Sequence, residues 1–195
     1  MAPRGESRDR MLTGATLLFR ERGIAGTALT DIMERTGAPR GSLYHYFPGG
    51  KAQLAEESID LAGRTMGRMI STLLTTQGPA AAITAFVDYF RRQLLDSDYT
   101  AGCPVAAGGL SGPDTPGARE RAGETFTEWE STLTSALWQH GLALDTAQNL
   151  ATTAIAAIEG ALVMARAQRS TRPLDRIENF MLGQIRDLDQ RGPIH

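Results

Sequence analysis

The sequence predicts an all-α chain of about nine helices. Apolar residues recur three and four positions apart along most of the 195 residues, which is the spacing of one face of an α-helix. No stretch alternates apolar and polar residues in the way a half-buried strand does. Glycine and proline fall between the periodic stretches, where helices are expected to end and begin. These three observations favour helices packed on helices.

Two helices are predicted before Gly37. The first runs from residue 7 or 9 to Arg22 with an apolar stripe, and Gly23 ends it. The second ends at Thr36. Thr27 is expected to cap its N-terminus, because a threonine oxygen accepts hydrogen bonds from N–H groups of the first turn.

A third, short helix follows a turn. Gly37 supplies the left-handed residue that ends the second helix, and Pro39 stands where the third begins. The core of the three-helix unit is predicted to be Leu18, Phe19, Leu29, Ile32, Leu43 and Phe47, with Tyr46 beside it. The other faces of the third helix carry a cation, a bare backbone, a hydroxyl and two rings, a mixture suited to phosphates and base edges: Arg40, Gly41, Ser42, Tyr44 and His45. We interpret this helix as a recognition helix.

The remaining residues are predicted to form a helical body. Proline lacks an N–H and disfavours helix in the residue before it, so Gly78-Pro79 is expected to break a long apolar pattern. Asp145 is predicted to cap a later helix, with Gln148 as its capping-box partner. The predicted helices cover residues 51–74, 79–95, 103–110, 118–140 and 145–169, and a last helix opens at Pro173.

Composition and charge set bounds on the class of protein. The net charge is −2, yet residues 1–51 carry eight Lys and Arg against five Asp and Glu, so a basic head precedes an acidic body. No apolar run approaches the roughly 20 residues of a membrane span, and no secretory signal is evident. A single cysteine, Cys103, fits a reducing compartment. A soluble, cytoplasmic protein is expected.

The N-terminal motif resembles that of the TetR family of repressors. It consists of Thr27-Ala-Leu-Thr-Asp-Ile-Met, Thr36-Gly37, Arg40-Gly-Ser-Leu-Tyr-His-Tyr-Phe and Lys51-x-x-Leu54. Pro48-Gly-Gly-Lys51 and Gly102-Cys-Pro-Val105 are similar to the LmrA/YxaF-like group, which is associated with drug- and flavonoid-responsive regulators. The resemblance implies residues 1–50 as a helix-turn-helix DNA-binding domain and 51–195 as a helical ligand-binding and dimerisation domain.

The resemblance also implies roles for individual residues. A glycine at position 41 permits close approach to DNA, Tyr44 and His45 match phosphate contacts, and Lys51 matches a backbone contact at the start of the fourth helix. Thr27 stands at a helix N-terminus, where phosphate binds well. The Pro48-Gly49-Gly50 turn holds one residue more than is common in the family. The predicted DNA contacts are Thr27, Arg40, Gly41, Ser42, Tyr44, His45 and Lys51.

Two further surfaces are predicted in the body. In the family the last two helices form the dimer interface, which gives Ile155, Ile158, Glu159, Leu162, Ile177, Phe180 and Met181; an internal core face is the alternative. Aromatic and Met side chains at helical spacing line either a pocket or plain core: Phe86, Phe90, Cys103, Phe126, Trp129, Leu133 and Met164. Their character favours a flat, largely apolar effector.

Catalytic and metal sites are not expected. The three histidines lack the spacing of a zinc site, and Gly49-Gly50-Lys51 lacks the first glycine and the hydroxyl of a phosphate-binding loop. No catalytic residue, metal or cofactor is therefore predicted. The sequence indicates a homodimeric, ligand-released repressor that binds a pseudo-palindromic operator. Two rivals remain open: a small-molecule-binding protein without operator specificity, and a helical enzyme that uses Cys103 or Glu159.

Overall fold

The structure, a computed structural model, describes residues 4–191, and for residues 4, 5, 40 and 187–191 it describes the backbone alone. No strand occurs among the described residues, so the predicted all-α class is confirmed. The helices are α1 (Arg4–Arg22), α2 (Leu29–Thr36), α3 (Arg40–Tyr46), α4 (Gly50–Asp96), α5 (Pro104–Gly109), α6 (Pro116–Gln139), α7 (Leu144–Gln168) and α8 (Arg172–Arg191).

Helix α4 is interrupted at the predicted break. Gly78 has φ 82° and ψ 175°, values far from those of a helix, and Pro79 follows it. The positive φ suits glycine, which has no Cβ to collide with the backbone. The segments before and after Gly78 are therefore two helices, and the described part of the chain holds nine helical segments.

The described helices group into two compact units. The first unit comprises Met1–Thr65 with Cys103–Thr125, and the second comprises Met66–Gly102 with Phe126–His195. Packing thus groups the start of α4, α5 and the start of α6 with the three N-terminal helices. The functional division into residues 1–50 and 51–195 remains a prediction.

The core of the first unit largely follows the sequence pattern. Leu18, Phe19, Ile32, Leu43 and Phe47 are buried as predicted. Leu29, which was expected inside, is only half-buried, because it is the first residue of α2. Other buried apolar residues of this unit include Met11, Ala15, Ile24, Leu54 and Ile59.

Both predicted side-chain N-caps are wrong. The N-cap of α2 is Ala28, and Thr27 instead donates its hydroxyl to the Gly23 carbonyl at 2.8 Å. Asp31 provides the side-chain hydrogen bond at the start of α2, because its Oδ2 accepts the Ala28 N–H at 3.0 Å. The N-cap of α7 is Ala143, so Asp145 lies within the first turn, where its charge complements the helix dipole.

In the first unit, α4 and α6 approach closely where α4 has a glycine. A Cβ placed on Gly63 would lie 2.6 Å from Thr125 Oγ1 and 2.8 Å from its Cγ2. Thr125 is itself buried. The missing side chain at position 63 is therefore what allows the two helices to pack at this distance.

In the second unit, α7 packs a row of small and aliphatic side chains inward: Ala147, Ala151, Ala154, Ile158, Ala161, Leu162 and Ala165. Val163 follows the same apolar spacing in the sequence, yet it is 65% exposed. Arg91 joins α4 to α8 through ion pairs with Asp175 at 3.0 Å and Glu178 at 2.7 Å. These contacts fix the start of α8 against the second half of α4.

Two helices, Gly50–Asp96 and Leu144–Gln168, are long and apolar enough to cross a membrane when only length and composition are considered. Core helices of soluble proteins pass the same test. Helix α4 is broken at Gly78, and α7 buries one face within the second unit. Two such helices are weak evidence for a membrane span.

We predict that Gly63→Ala destabilises the protein by about 1–3 kcal/mol, because the added methyl group overlaps the stiff, buried Thr125 side chain. The matched control is Gly123→Ala on α6, where a new Cβ meets no atom within 4 Å. This control is expected to gain about 0.5–1 kcal/mol from helix propensity. Urea unfolding at one protein concentration measures both; equal stability of the two variants would contradict the close packing.

Candidate nucleic-acid interface

A three-residue turn joins α2 to α3. Gly37 adopts the left-handed conformation, with φ 64° and ψ 22°, and its N–H donates to the Glu34 carbonyl. Pro39 is extended, with φ −62° and ψ 145°, so α3 begins at Arg40. The chain thus leaves one helix and enters another in a helix-turn-helix arrangement, as the glycine and proline positions predicted.

Two buried anchors hold α3 in place. Leu43 and Phe47 are both 0% exposed, whereas Tyr44 is 61% exposed and His45 is exposed beside it. Tyr46 is half-buried, with its ring 5.1 Å from that of His45. A helix of seven residues therefore presents one face to the core and offers the other to a partner.

The first turn of α3 exposes its backbone at Gly41. Gly41 is exposed, and no atom lies within 4 Å of the position that a Cβ would take. Ser42 is half-buried, with its N–H bonded to the Pro39 carbonyl at 2.9 Å. This bare, exposed backbone leaves room for a close partner surface.

The turn after α3 brings Tyr44 close to the start of α4. Gly50 has φ 61° and donates its N–H to the Phe47 carbonyl at 2.8 Å. The Tyr44 ring lies 3.9 Å from the position of a Gly50 Cβ. Lys51, half-buried, lies in the first turn of α4. An amphipathic ring, exposed backbone and a lysine thus belong to one continuous segment.

Two predicted DNA contacts, Thr27 and Arg40, have no described side chain on the exposed surface. Thr27 is 1% exposed, and its hydroxyl is engaged by Gly23, so it presents no free hydroxyl at the surface. The side chain of Arg40 lies outside the described residues. Both roles remain predictions.

An apolar pocket occurs in the second unit. It has a volume of about 40 Å³ and is lined by Ile70, Ala82, Ile83, Phe86, Trp129, Leu133, Ala154, Ile155, Ile158 and Glu159. Ile70 and Ile83 fit the apolar helical spacing of the sequence, but that spacing does not assign them to a pocket. Ala82 and Ala154 carried no signal beyond small size, because helical periodicity does not distinguish a cavity wall from solid core.

The predicted pocket residues divide into three groups. Phe86, Trp129 and Leu133 line the pocket. Phe90 and Phe126 stand behind it, with ring centroids 5.1 Å from Phe86 and 5.7 Å from Trp129. Met164 is 51% exposed, and Cys103 is buried within the first unit.

The predicted dimer residues differ in exposure. Ile158, Leu162 and Met181 are buried within the chain, while Ile155, Glu159 and Ile177 are half-buried. Phe180 is 55% exposed on α8. Two neighbours on α7, Val163 and Met164, are also exposed apolar side chains. The dimer interface remains a prediction.

No group of three or more His, Cys, Asp or Glu side chains in the described part of the chain is arranged to hold a metal ion. The prominent functional feature is instead the exposed face of α3. A recognition-type helix in a helix-turn-helix, followed by a second helical unit with an apolar pocket, defines a class of DNA-binding regulators.

Comparison with known proteins identifies the family. Residues 11–58 match the family described as bacterial regulatory proteins, tetR family, and residues 79–180 match the C-terminal domain described as transcriptional regulator LmrA/YxaF-like. The chain belongs to the TetR family of bacterial transcriptional regulators, in its LmrA/YxaF-like group. This family consists of DNA-binding regulators rather than enzymes.

The similarity extends over nearly the whole chain. An uncharacterised HTH-type transcriptional regulator of Mycobacterium tuberculosis is 37% identical over 91% of this chain and 95% of its own. The HTH-type transcriptional regulator LmrA of Bacillus subtilis is 33% identical over 90% of this chain and 94% of its own. Among solved structures, the TetR family regulator CifR, complexed with 26-bp operator DNA, has a TM-score of 0.75 at 23% identity, covering 90% and 95%.

We predict that Tyr44→Ala weakens operator binding about tenfold or more and leaves thermal stability unchanged, because the side chain is 61% exposed and its hydroxyl is available to a charged phosphate. The control is Trp138→Ala, which removes a ring that is 58% exposed in the second unit. Fluorescence anisotropy with labelled duplex DNA and thermal melts measure both effects. Equal affinities of the two variants would remove Tyr44 from the interface.

Proposed function

We propose that the protein is an effector-released repressor that binds a pseudo-palindromic operator as a homodimer. In this arrangement two α3 helices enter successive major grooves, about 34–36 Å apart. The observation that carries the proposal is the small apolar pocket in the second unit of a chain whose first unit exposes one face of the short helix α3. The proposal places the protein in the cytoplasm with its DNA.

The exposed face of α3 and the first turn of α4 supply the contacts. Tyr44, His45 and Lys51 suit phosphates, since a phenol and a lysine ammonium both donate hydrogen bonds. Gly41 lets the backbone approach a groove. The sequence-based prediction adds Arg40, whose guanidinium suits a phosphate or a guanine edge, and Ser42.

The pocket explains how an effector would act. Pockets that bind drug-sized ligands usually have volumes of about 300–1,000 Å³, whereas this pocket has about 40 Å³. A ligand must therefore separate the lining side chains of α4, α6 and α7, and it prefers the open conformation to the closed one. A ligand shifts the equilibrium between two conformations only if it binds one of them more tightly than the other.

Helix α4 is the proposed connection between effector binding and DNA binding. Its residues up to Thr65 belong to the first unit, and those from Met66 onward belong to the second. Ile70 on this helix lines the pocket, and Lys51 lies at its start. We call residues 40–51 the DNA-binding segment. A displacement of α4 by an effector would change the position of this segment.

Helices α7 and α8 are the proposed dimer surface. Val163, Met164 and Phe180 are large apolar side chains that are 65%, 51% and 55% exposed. Burial of such side chains against a second subunit is favourable, at about 25 cal/mol per Å² of apolar area. Ile155, Glu159 and Ile177 on the same two helices are half-buried and complete the surface.

The proposal is tested with the duplex DNA upstream of the protein's own gene and of its neighbouring gene. Specific binding about 10³-fold tighter than to shuffled DNA is expected, with strong salt dependence. Sedimentation velocity is expected to show a dimer that Phe180→Asp dissociates. A planar aromatic panel that includes a flavonoid is then screened for release of the bound duplex. Equal affinity for the upstream DNA and for the shuffled DNA would contradict operator-specific repression.

We predict that Ala154→Leu raises the effector concentration needed for release about tenfold, since the larger side chain fills a pocket of only about 40 Å³. Affinity for the duplex is expected to stay within about twofold. The control is Ala156→Leu, which adds the same atoms at an exposed position of α7. Release titrations by anisotropy compare the three proteins; identical titrations would place the effector elsewhere.

A further inference from the structure

A residue near the start of α1 is connected to the turn that follows the recognition helix. Arg8 Nη2 donates to Glu57 Oε2 on α4, across 49 positions of sequence. The Arg8 guanidinium also lies 5.2 Å from the ring centroid of Phe47, the residue that ends α3. Arg8 therefore contacts both α4 and the buried anchor of the recognition helix.

From Glu57 the contacts continue to the backbone of the turn. Glu57 Oε1 accepts from Gln53 Nε2 at 2.9 Å. Gln53 Oε1 in turn accepts the Gly49 N–H at 2.9 Å. We call these four residues, Arg8, Glu57, Gln53 and Gly49, the turn brace. Each link has a donor on one side and an acceptor on the other, so the chain of hydrogen bonds is complete.

The turn brace ends where the turn has its extra residue. Gly49 lies between Pro48 and Gly50, and Tyr44 packs close to Gly50. No side chain at Gly49 or Gly50 restricts this backbone, because both are glycine. Its conformation therefore depends on hydrogen bonds such as that from Gly49 to Gln53.

The turn brace also controls charge beside the DNA-binding segment. Glu57 is an acid two turns into α4, the helix that carries Lys51 in its first turn, and DNA is a dense polyanion. The Arg8 guanidinium compensates the Glu57 carboxylate directly, in an ion pair that leaves the two side chains 37% and 29% exposed. A partly exposed ion pair contributes little to stability, so its placement is better explained by binding.

We propose that Arg8 is a positioning residue for DNA binding: through Glu57 and Gln53 it fixes the turn after α3, and it neutralises the carboxylate beside that turn. Arg8 does this without touching DNA. The inference rests on the DNA-binding role of the family and is independent of effector release, so it is tested without any effector.

The test uses the full-length protein and a labelled duplex selected from a random-sequence library by the wild type. Four proteins are compared with it: Arg8→Met, Glu57→Gln, the double variant, and Arg10→Met. Arg10 is the matched control, because it is an exposed arginine on α1 that bonds only Ser7 among the contacts described, at 3.3 Å. Affinity and its salt dependence are measured where circular dichroism shows every variant folded.

Arg8→Met is expected to bind the duplex about tenfold more weakly than Arg10→Met. Adding Glu57→Gln is expected to recover at least half of that loss on a logarithmic scale, since glutamine carries no charge and still accepts from Gln53. A purely structural defect would not be rescued by removing a second charge. Equal affinities of Arg8→Met and Arg10→Met overturn the proposal.

An unrescued loss in the double variant also overturns it. In that case the slope of log affinity against log salt concentration separates two explanations. If this slope is smaller for Arg8→Met than for the wild type by about one, Arg8 contacts a phosphate directly. If the slope is unchanged, Arg8 acts through the Phe47 ring and not through Glu57.

Discussion

The burial of Leu43 and Phe47 is the constraint on which the DNA-binding segment depends. A helix of seven residues is not stable by itself in water, because its nucleation cost is spread over few hydrogen bonds. Its position is set instead by two side chains in the core of the first unit. The same anchoring determines which side chains remain outside, and it places Tyr44 and His45 on the exposed face.

The features that the sequence predicted well are those that depend on local chemistry. Gly37 and Gly78 had to adopt backbone conformations that other residues avoid, and both do. The apolar spacing of α1 and α3 identified the inward residues, since one face of a helix is fixed by its period. The helix-turn-helix could therefore be predicted from one stretch of sequence.

The features that the sequence predicted poorly depend on where a helix begins and on what lies opposite. Thr27 and Asp145 are plausible caps by type, yet α2 and α7 begin one or two residues away, next to alanines. Val163 and Met164 fit apolar patterns but face outward. The pocket was even harder to predict, because Ala82 and Ala154 line it through absence of bulk and not through a recognisable motif.

The small volume of the pocket has a consequence for sensitivity. Under the proposed mechanism, part of the free energy of every effector is used to open the lining, so the apparent affinity is lower than the intrinsic one by the fraction of open molecules. The ease of opening then sets the dose at which transcription begins. A lining that rearranges around its guest also imposes little shape of its own, which favours a regulator that responds to a range of flat apolar compounds over one tuned to a single metabolite.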